Sequence, residues 1–473
     1  MARRSFLKFI SATTAVSAMD TSFAAKLPKL KYKPSLSEVD YEGIAFSSED
    51  SVVLTKELQY DLLLKWQDAL TEKESFGFNN DYINFVPLTK AGTEGILWVN
   101  HESPDRFMIL DHVSNKPTKE EIEKEMYSVG GSLVHIKKDN KTGKWTYIKN
   151  SPYNRRFSGL SLIPFANNEE IMGKTIAMGT LGNCAGGKTP WNTILTCEEN
   201  YDLFYGETVH NEGMTSHLKS ELGWENFYDN PPEHYGWVVE IDPISGEAKK
   251  HTSMGRMAHE CATTTRAKDG RVVVYTGDDS PNEHLYKFIS DSHDNLNKGM
   301  LYVANLEAGV WVPLNKDIHM ELGKHFTTQL ELLIQARAAA KIAKGTPLDR
   351  PEDIEIHPIS KDVFISLTNN KPKGNYHGAI LKLMEENADA GSLTFKHEYF
   401  LTGGEESGFS CPDNLAFDDQ YNLWFTSDIA GGSQNKKQYT PFKNNGLFMV
   451  PVKGKNAGKV VQIASAPNTS EFT

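Results

Sequence analysis

The sequence predicts an all-β fold, a β-propeller with helical and loop insertions, and three observations carry that prediction. Hairpins of one style recur: residues 133–136 returning through Asp139 and Gly143, 237–242 returning through Gly246, 380–383, and 447–450 returning through Gly458. Each is an alternating strand, a polar turn of Asp, Asn, Gly and Lys, and a returning strand. Between them lie short apolar strands that end in acids or amides, at 194–199, 272–279, 363–370 and 423–428. The repeat counts five or six blades, with irregular spacing and no WD or kelch signature. Inner strands of a propeller converge on a central channel, so acidic strand ends would meet there.

Taken in order, residues 1–25 read as an export signal. Arg3-Arg4-Ser5-Phe6-Leu7-Lys8 is a twin-arginine pattern, an apolar stretch follows to Met19, and Ser22-Phe23-Ala24 offers a small-x-small cleavage site. Residues 26–38 form a basic, Pro-containing linker, and 39–473 are expected to be a single propeller domain. Residues 51–66 place apolar side chains at helical spacing and predict a short helix. Next, FNNDY (78–82) and VNHE (99–102) set ligand-capable residues beside apolar strands. The segment 201–235, polar and aromatic, predicts a loop over one face. Residues 317–344, rich in Leu, Ala, Gln and Lys, predict a helix or helical pair.

The chemistry is concentrated at 178–201, MGTLGNCAGGKTPWNTILTCEENY. An apolar strand breaks into a Gly-rich loop carrying Cys184, and a second strand ends in Cys197, Glu198 and Glu199. Neighbours on a strand point to opposite faces, so one of Glu198 and Glu199 points inward. A thiolate selects transition metals and clustered carboxylates suit calcium, magnesium or ferric iron; the stretch therefore reads as one wall of a mixed-metal site. Similar strand-end clusters follow at MAHEC (257–261), TGDD (276–279), RPEDIEIHP (350–358) and CPDNLAFD (411–418). Carboxylates brought that close raise one another's pKa unless cations neutralise them. His259 and His357 are candidate ligands or donors to ligands. Cys197, Cys261 and Cys411 read as core thiols.

Bulk properties exclude several classes. With 50 basic against 62 acidic residues the net charge is -12, which argues against nucleic acid as the main partner. No apolar run after the N-terminal segment reaches the length of a membrane span. The four cysteines form no CxxC pair, so neither a disulfide framework nor a zinc knuckle is indicated. There is no GxSxG elbow, HExxH, Walker loop or GxGxxG.

The strings NCAGGKTPWNTILTCEEN, MGRMAHE, VYTGDD, RPEDIEIHP and CPDNLAFD, with FNNDYINFVPL and VNHES, resemble the PhoX-type alkaline phosphatases from about Asn79 to the last strands. The resemblance implies a six-bladed propeller, export to the periplasm or cell surface, and hydrolysis of small-molecule phosphate monoesters at a pair of ferric ions with several calcium ions. It makes Cys184 an iron-binding thiolate. Glu198 or Glu199, Glu260, and Glu352 or Glu355 become carboxylate ligands, with Asp278, Asp279 and Asp413 as further ones. Arg155 and Arg156 in YNRRF are similar to the family's YNRR and would clamp phosphate bidentately. Phe157 to Pro164 and Asn192 depart from the family pattern. The implied partners are the ester substrates and the twin-arginine translocase, with the enzyme a monomer. Two other classes fit the residues alone: a calcium-dependent propeller hydrolase of the lactonase kind, and a non-catalytic binding propeller stabilised by metal. Cys184 separates them from the phosphatase, because a pure calcium site has no use for a thiolate.

Overall fold

The computed structural model describes residues 41–112, 116–211, 214–470 and 472–473; the expected export signal and linker lie outside them. Five antiparallel sheets of four or five strands follow one another along the chain. Blade one begins with strands Asn80–Pro87 and Glu94–His101, blade two with Asn183–Lys188 and Ile194–Glu198, and blade three with Thr263–Arg266 and Val272–Gly277. Blade four begins with Pro351–Ile356 and Val363–Leu367, and blade five with Pro412–Phe417 and Asn422–Ser427. Successive first strands pack against one another, which makes them the inner strands.

The expected six blades are therefore corrected to five. The only other sheets among the described residues are two-stranded, Leu162–Pro164 with Ile176–Met178 and Glu207–Asn211 with Met214–Leu218. Neither has the four strands a blade needs. The six had come from the family resemblance; the repeated pattern itself allowed five.

Second strands are among the most completely buried elements. Val272–Gly277 and Val363–Leu367 are buried at every position, as β-branched and apolar side chains on both faces demand when each sheet is covered by its neighbours. Close approach between blades depends on glycine at two places. A Cβ on Gly187 would fall 2.0 Å from the Ala262 carbonyl oxygen, and one on Gly277 would fall 2.1 Å from that of Pro351.

The helix expected over 51–66 does not form. Only Val53–Leu54 is regular, and it is a strand paired antiparallel with Val461–Ser465 of blade five. The apolar residues serve two different cores: Leu58 packs with Trp424, Met449 and Ile463, while Leu64 packs with Leu70, Phe76 and Phe85 of blade one. A segment bridging two blades must run extended, and this outweighs its helical spacing. The helical expectation at 317–344 is met by three short helices, Met320–His325, Gln329–Ile334 and Ala336–Ile342. They bury Leu322, Leu332, Ala336, Ala339 and Ala340 against Leu301 and Val303 of blade three. The aromatic insertion packs Tyr201, Phe204, Tyr205, Trp224 and Tyr235 onto Ile122 and Met126. No helix among the described residues is long and apolar enough to cross a membrane.

Candidate metal centre

One local device, used five times, builds the site. At the same end of every blade the inner strand carries one residue more than its neighbour. In blade one, Asn80 pairs with His101 and Ile83 with Val99, three steps against two. Blade two repeats this with Asn183–Glu198 and Gly186–Thr196, blade four with Pro351–Leu367 and Ile354–Ile365, and blade five with Pro412–Ser427 and Leu415–Phe425. In blade three the bridge His259–Asp278 and the pair Thr263–Tyr275 leave the same excess. Such a bulge re-aims the side chain next to it. Four of the five are introduced by a left-handed residue, Asn79, Gly182, Arg350 and Cys411, with φ between 51° and 60°.

The residue after the bridged one is then Asp81, Cys184, Glu260, Glu352 and Asp413 in blades one to five. The residue just past the paired end of each second strand is Glu102, Glu199, Asp279, Thr368 and Asp428. Two tiers of donors result, one from the inner strands and one from the strand ends beside them. Donor atoms from both tiers lie within 4.8 Å of one another in three groups: Glu102, Cys184 and Glu199; Glu199, Glu260 and Asp279; and Glu260, Glu352 and Asp413. Glu199 and Glu260 are shared, so the groups form one continuous cluster.

The cluster is crowded with negative charge. The Cys184 thiol donates to Glu260 Oε1 at 3.1 Å and to Asp81 Oδ2 at 3.4 Å. Burial, followed by the charges of Glu352 and Glu199, pushes Glu260 well above the usual carboxylate range. Burial and then Asp279 do the same to Glu199 and Glu352. Glu102 is pushed up to about 8 by burial and by Asp81, and Asp81 to about 6 chiefly by burial. The Cys184 thiol is held well above its ordinary value by burial and by Asp81. Glu260 Oε2 is buried with no hydrogen-bond partner. An orphaned carboxylate oxygen, amid carboxylates that repel one another and a thiol, is what a cation would complete.

One cation of the chain's own already enters. Arg350 donates from Nε and Nη2 to the two oxygens of Asp279 at 2.8 and 2.6 Å, and Nη2 lies 2.8 Å from Glu352 Oε1. Its Nη1 has a 4.0 Å ion-pair contact with Asp428.

Of the residues singled out in the sequence, Cys184, Glu199, Glu260, Asp279, Glu352 and Asp413 fall in the cluster. Glu198 points the other way, accepting from Lys250 Nζ at 2.6 Å and from the Trp237 amide at 3.2 Å, all buried. Asp278 is held by Arg337 through Nε at 2.8 Å and Nη2 at 2.5 Å. Glu355 stands one bulge further down the inner strand, outside the three groups, where burial pushes it up to about 8. The Arg155 guanidinium donates to the carbonyls of Ser245 and Pro152, and that of Arg156 to those of Gly131, Tyr127 and Val129 and to Ser132 Oγ. Neither arginine hydrogen bonds to the cluster. His259 spends both ring nitrogens on Thr276 Oγ1 and the Gly255 carbonyl, and His357 accepts two turn amides. Sequence reasoning passed over Asp81, Glu102, Asp428 and Arg350 as individual residues. Their signal was the equivalence of the five strand ends.

A family model described as "Alkaline phosphatase PhoX" matches residues 39–473. The chain belongs to the PhoX family. Among solved structures, PhoX of Pseudomonas fluorescens, in complex with vanadate, a transition state analogue, is 27% identical over 90% of this chain and 89% of that one, with a TM-score of 0.81. A putative 6-phosphogluconolactonase from Bacteroides uniformis matches at 11% identity over 83% of this chain and 87% of its own, with a TM-score of 0.34. A protein of unknown function from Dyadobacter fermentans matches at 10% over 86% of each, with a TM-score of 0.37. Neither of these two bears on function. No curated protein matches the chain. As a PhoX-family member the chain is a metal-dependent phosphoric monoester hydrolase, and its metal-binding groups lie where the five blades converge.

Proposed function

We propose that the two tiers hold a pair of ferric ions and several calcium ions, and that phosphate monoesters are hydrolysed beside Arg350. The observation that carries this reading is the donor set: one thiol, Cys184, among buried carboxylates. Sulfur favours iron and the surrounding oxygens suit calcium. Bound there, the metals supply Lewis acidity toward the phosphoryl oxygens and lower the pKa of water. Similarity to a PhoX structure holding vanadate supports phosphoryl transfer as the reaction.

The chain's own residues divide the rest. Cys184, Glu199, Glu260, Glu352, Asp413, Asp279, Glu102 and Asp81 fix the cations. Cys184 would hold a cation as its thiolate, giving up to solvent the proton it donates to Glu260. Arg350 has two nitrogens committed to Asp279, which fixes the plane of its guanidinium, and presents Nη1 to a phosphoryl oxygen. Glu198, Asp278, Arg155 and Arg156 hold the framework through the partners described above. Burial of the cluster removes competing water and strengthens each charge interaction.

We read the chain as a single propeller domain from residue 39, exported by the twin-arginine route to the periplasm or beyond. Fractionation of cells expressing the Arg3→Lys, Arg4→Lys double variant tests this; activity still reaching the periplasm would refute it. The reaction is tested by elemental analysis of the purified protein with an aryl-phosphate assay, before and after calcium chelation, for wild type and Cys184→Ala. Iron with calcium is expected, with activity lost on chelation and in the variant. The loss in the variant should be at least the roughly 10–100-fold that even an outer partner of a metal ligand costs. Calcium alone, with Cys184→Ala fully active, would refute the mixed site.

A further inference from the structure

Asp278 and Asp279, neighbours just past the blade-three strand Val272–Gly277, are each gripped by a guanidinium in the same way. Arg337 donates from Nε and Nη2 to the two oxygens of Asp278 at 2.8 and 2.5 Å, and Arg350 does so to Asp279 at 2.8 and 2.6 Å. Of the two aspartates, Asp279 alone falls in a donor group. Arg337 Nη2 also donates to Ser280 Oγ at 3.2 Å, so one guanidinium holds the residues on both sides of Asp279. One turn along the same helix, Ala336–Ile342, Lys341 Nζ donates to Glu283 Oε1 at 2.5 Å. The chain then comes back to the same turn. The Asn282 amide donates to the Leu348 carbonyl and the Leu348 amide to the Glu283 carbonyl, each at 2.8 Å, and Asp349 bridges Pro281. The next residue is Arg350. Residues 337–350 thus clasp the turn 278–283, beginning on Asp278 and ending on Asp279.

We infer that Arg337, from the helical insertion, is a positioning residue for the reaction: it fixes Asp279 as a donor and, through Asp279, the guanidinium of Arg350. The inference rests on the proposed function, because it takes the metal centre as the place of reaction. Asp278 is a fully buried carboxylate one residue from a donor, and without Arg337 it would be an unpaired buried charge beside the cluster. Paired, it is withdrawn from competition for cations, which leaves Asp279 to face them. Asp279 lies past the last ladder pair of its strand, where its amide is held on the Ala258 carbonyl at 3.1 Å. The grip of Arg337 on both flanking side chains adds the restraint that the ladder no longer supplies. Because Asp279 sets the plane of Arg350, any shift in it moves a metal donor and the phosphate-facing cation together. The hydrogen bonds of Arg337 go to Asp278 and Ser280, outside the donor groups, so it acts through Asp279 and not on the reacting atoms.

The test measures kcat/KM for an aryl phosphate, and the rate at which EDTA withdraws metal from the holoenzyme, in wild type, Arg337→Gln, Arg350→Lys and the double variant. Arg337→Gln should release metal about tenfold faster and lose about tenfold in kcat/KM, the scale on which an outer partner of a metal ligand acts. The double variant should lose less than the product of the two single losses, because both substitutions act through Asp279. Unchanged metal release, or losses that multiply, would overturn the positioning role and leave Arg337 a structural ion pair. If Arg337→Gln fails to fold around the unpaired Asp278, Asp278→Asn combined with Arg337→Gln removes both charges at once and takes its place. The same acceleration and the same shortfall from the product are expected of it, and their absence would overturn the proposal. A wild type inactive on aryl phosphates would refute the reaction, and the EDTA rates would then decide alone whether the clasp holds Asp279.

Discussion

Cys184 stands out from the carboxylates of the donor tiers by its softness, and Arg350, which enters beside them, by its positive charge. Arg350→Lys keeps the charge but cannot span both oxygens of Asp279. Hydrolysis should fall roughly tenfold to a hundredfold, since a hydrogen bond to a charged group is worth about 1.5–3 kcal/mol. Steady-state kinetics with unchanged metal content would show it; full activity would remove Arg350 from the reaction. Glu198 makes the opposite kind of prediction. Lys250→Met leaves its buried carboxylate unpaired, so unfolding should become easier by about 3–5 kcal/mol, read by denaturant titration. Activity per folded molecule should hold, whereas a drop in metal content would return Glu198 to the site. At this scale the sequence showed that one of Glu198 and Glu199 faces inward and could not say which, because the answer depends on Lys250 lying buried opposite one of them.

The bulged strand end is the element that repays attention to register. Each inner strand would run straight through its position without the extra residue, and its carboxylate or thiol would follow the ordinary alternation of the sheet. Acid clusters at strand ends were legible from composition, and they marked blades two to five correctly. Asp81 and Glu102 were visible only as parts of FNNDY and VNHE, since their equivalence to Glu352 and Thr368 is a matter of pairing rather than of residue type. The segment 51–66 failed for a related reason: helical spacing of apolar residues cannot distinguish one core from two. The inner strands also need glycine where they meet. Gly187→Ala places a methyl group against the Ala262 carbonyl of the next blade, and a loss of about 1–3 kcal/mol from overpacking is expected. Thermal unfolding measures it, and an unchanged midpoint would mean that the two blades can move apart freely.

In the whole molecule a cluster of buried carboxylates lies where five sheets converge, and that shapes its response to pH. Glu102 and Glu355, at an ordinary carboxylate value near 4.5 in the unfolded chain, rise to about 8 in the folded one, and Glu199, Glu260 and Glu352 also rise. Raised carboxyl groups bind more protons in the folded state, so their contribution is fully present below about 4.5 and is lost as pH climbs through about 8. The metal-free protein should therefore melt at progressively lower temperature between those values, and added metal should raise the midpoint more at pH 8 than at pH 5. A metal-free protein equally stable at both would contradict the crowding of the site. The propeller class was legible because its hairpins recur; the number of blades was not fixed by that recurrence. The sharing of the donor tiers among five blades also has a consequence in time. A single blade offers no more than two donors, and Asp81 and Asp428 come from the first and last blades of the described chain. Glu102, Cys184 and Glu199 meet as soon as blades one and two have docked, whereas Glu260, Glu352 and Asp413 meet only when blades three, four and five have. At each docking the converging carboxylates oppose assembly, and cations present in the medium should help from the first pair of blades to the last.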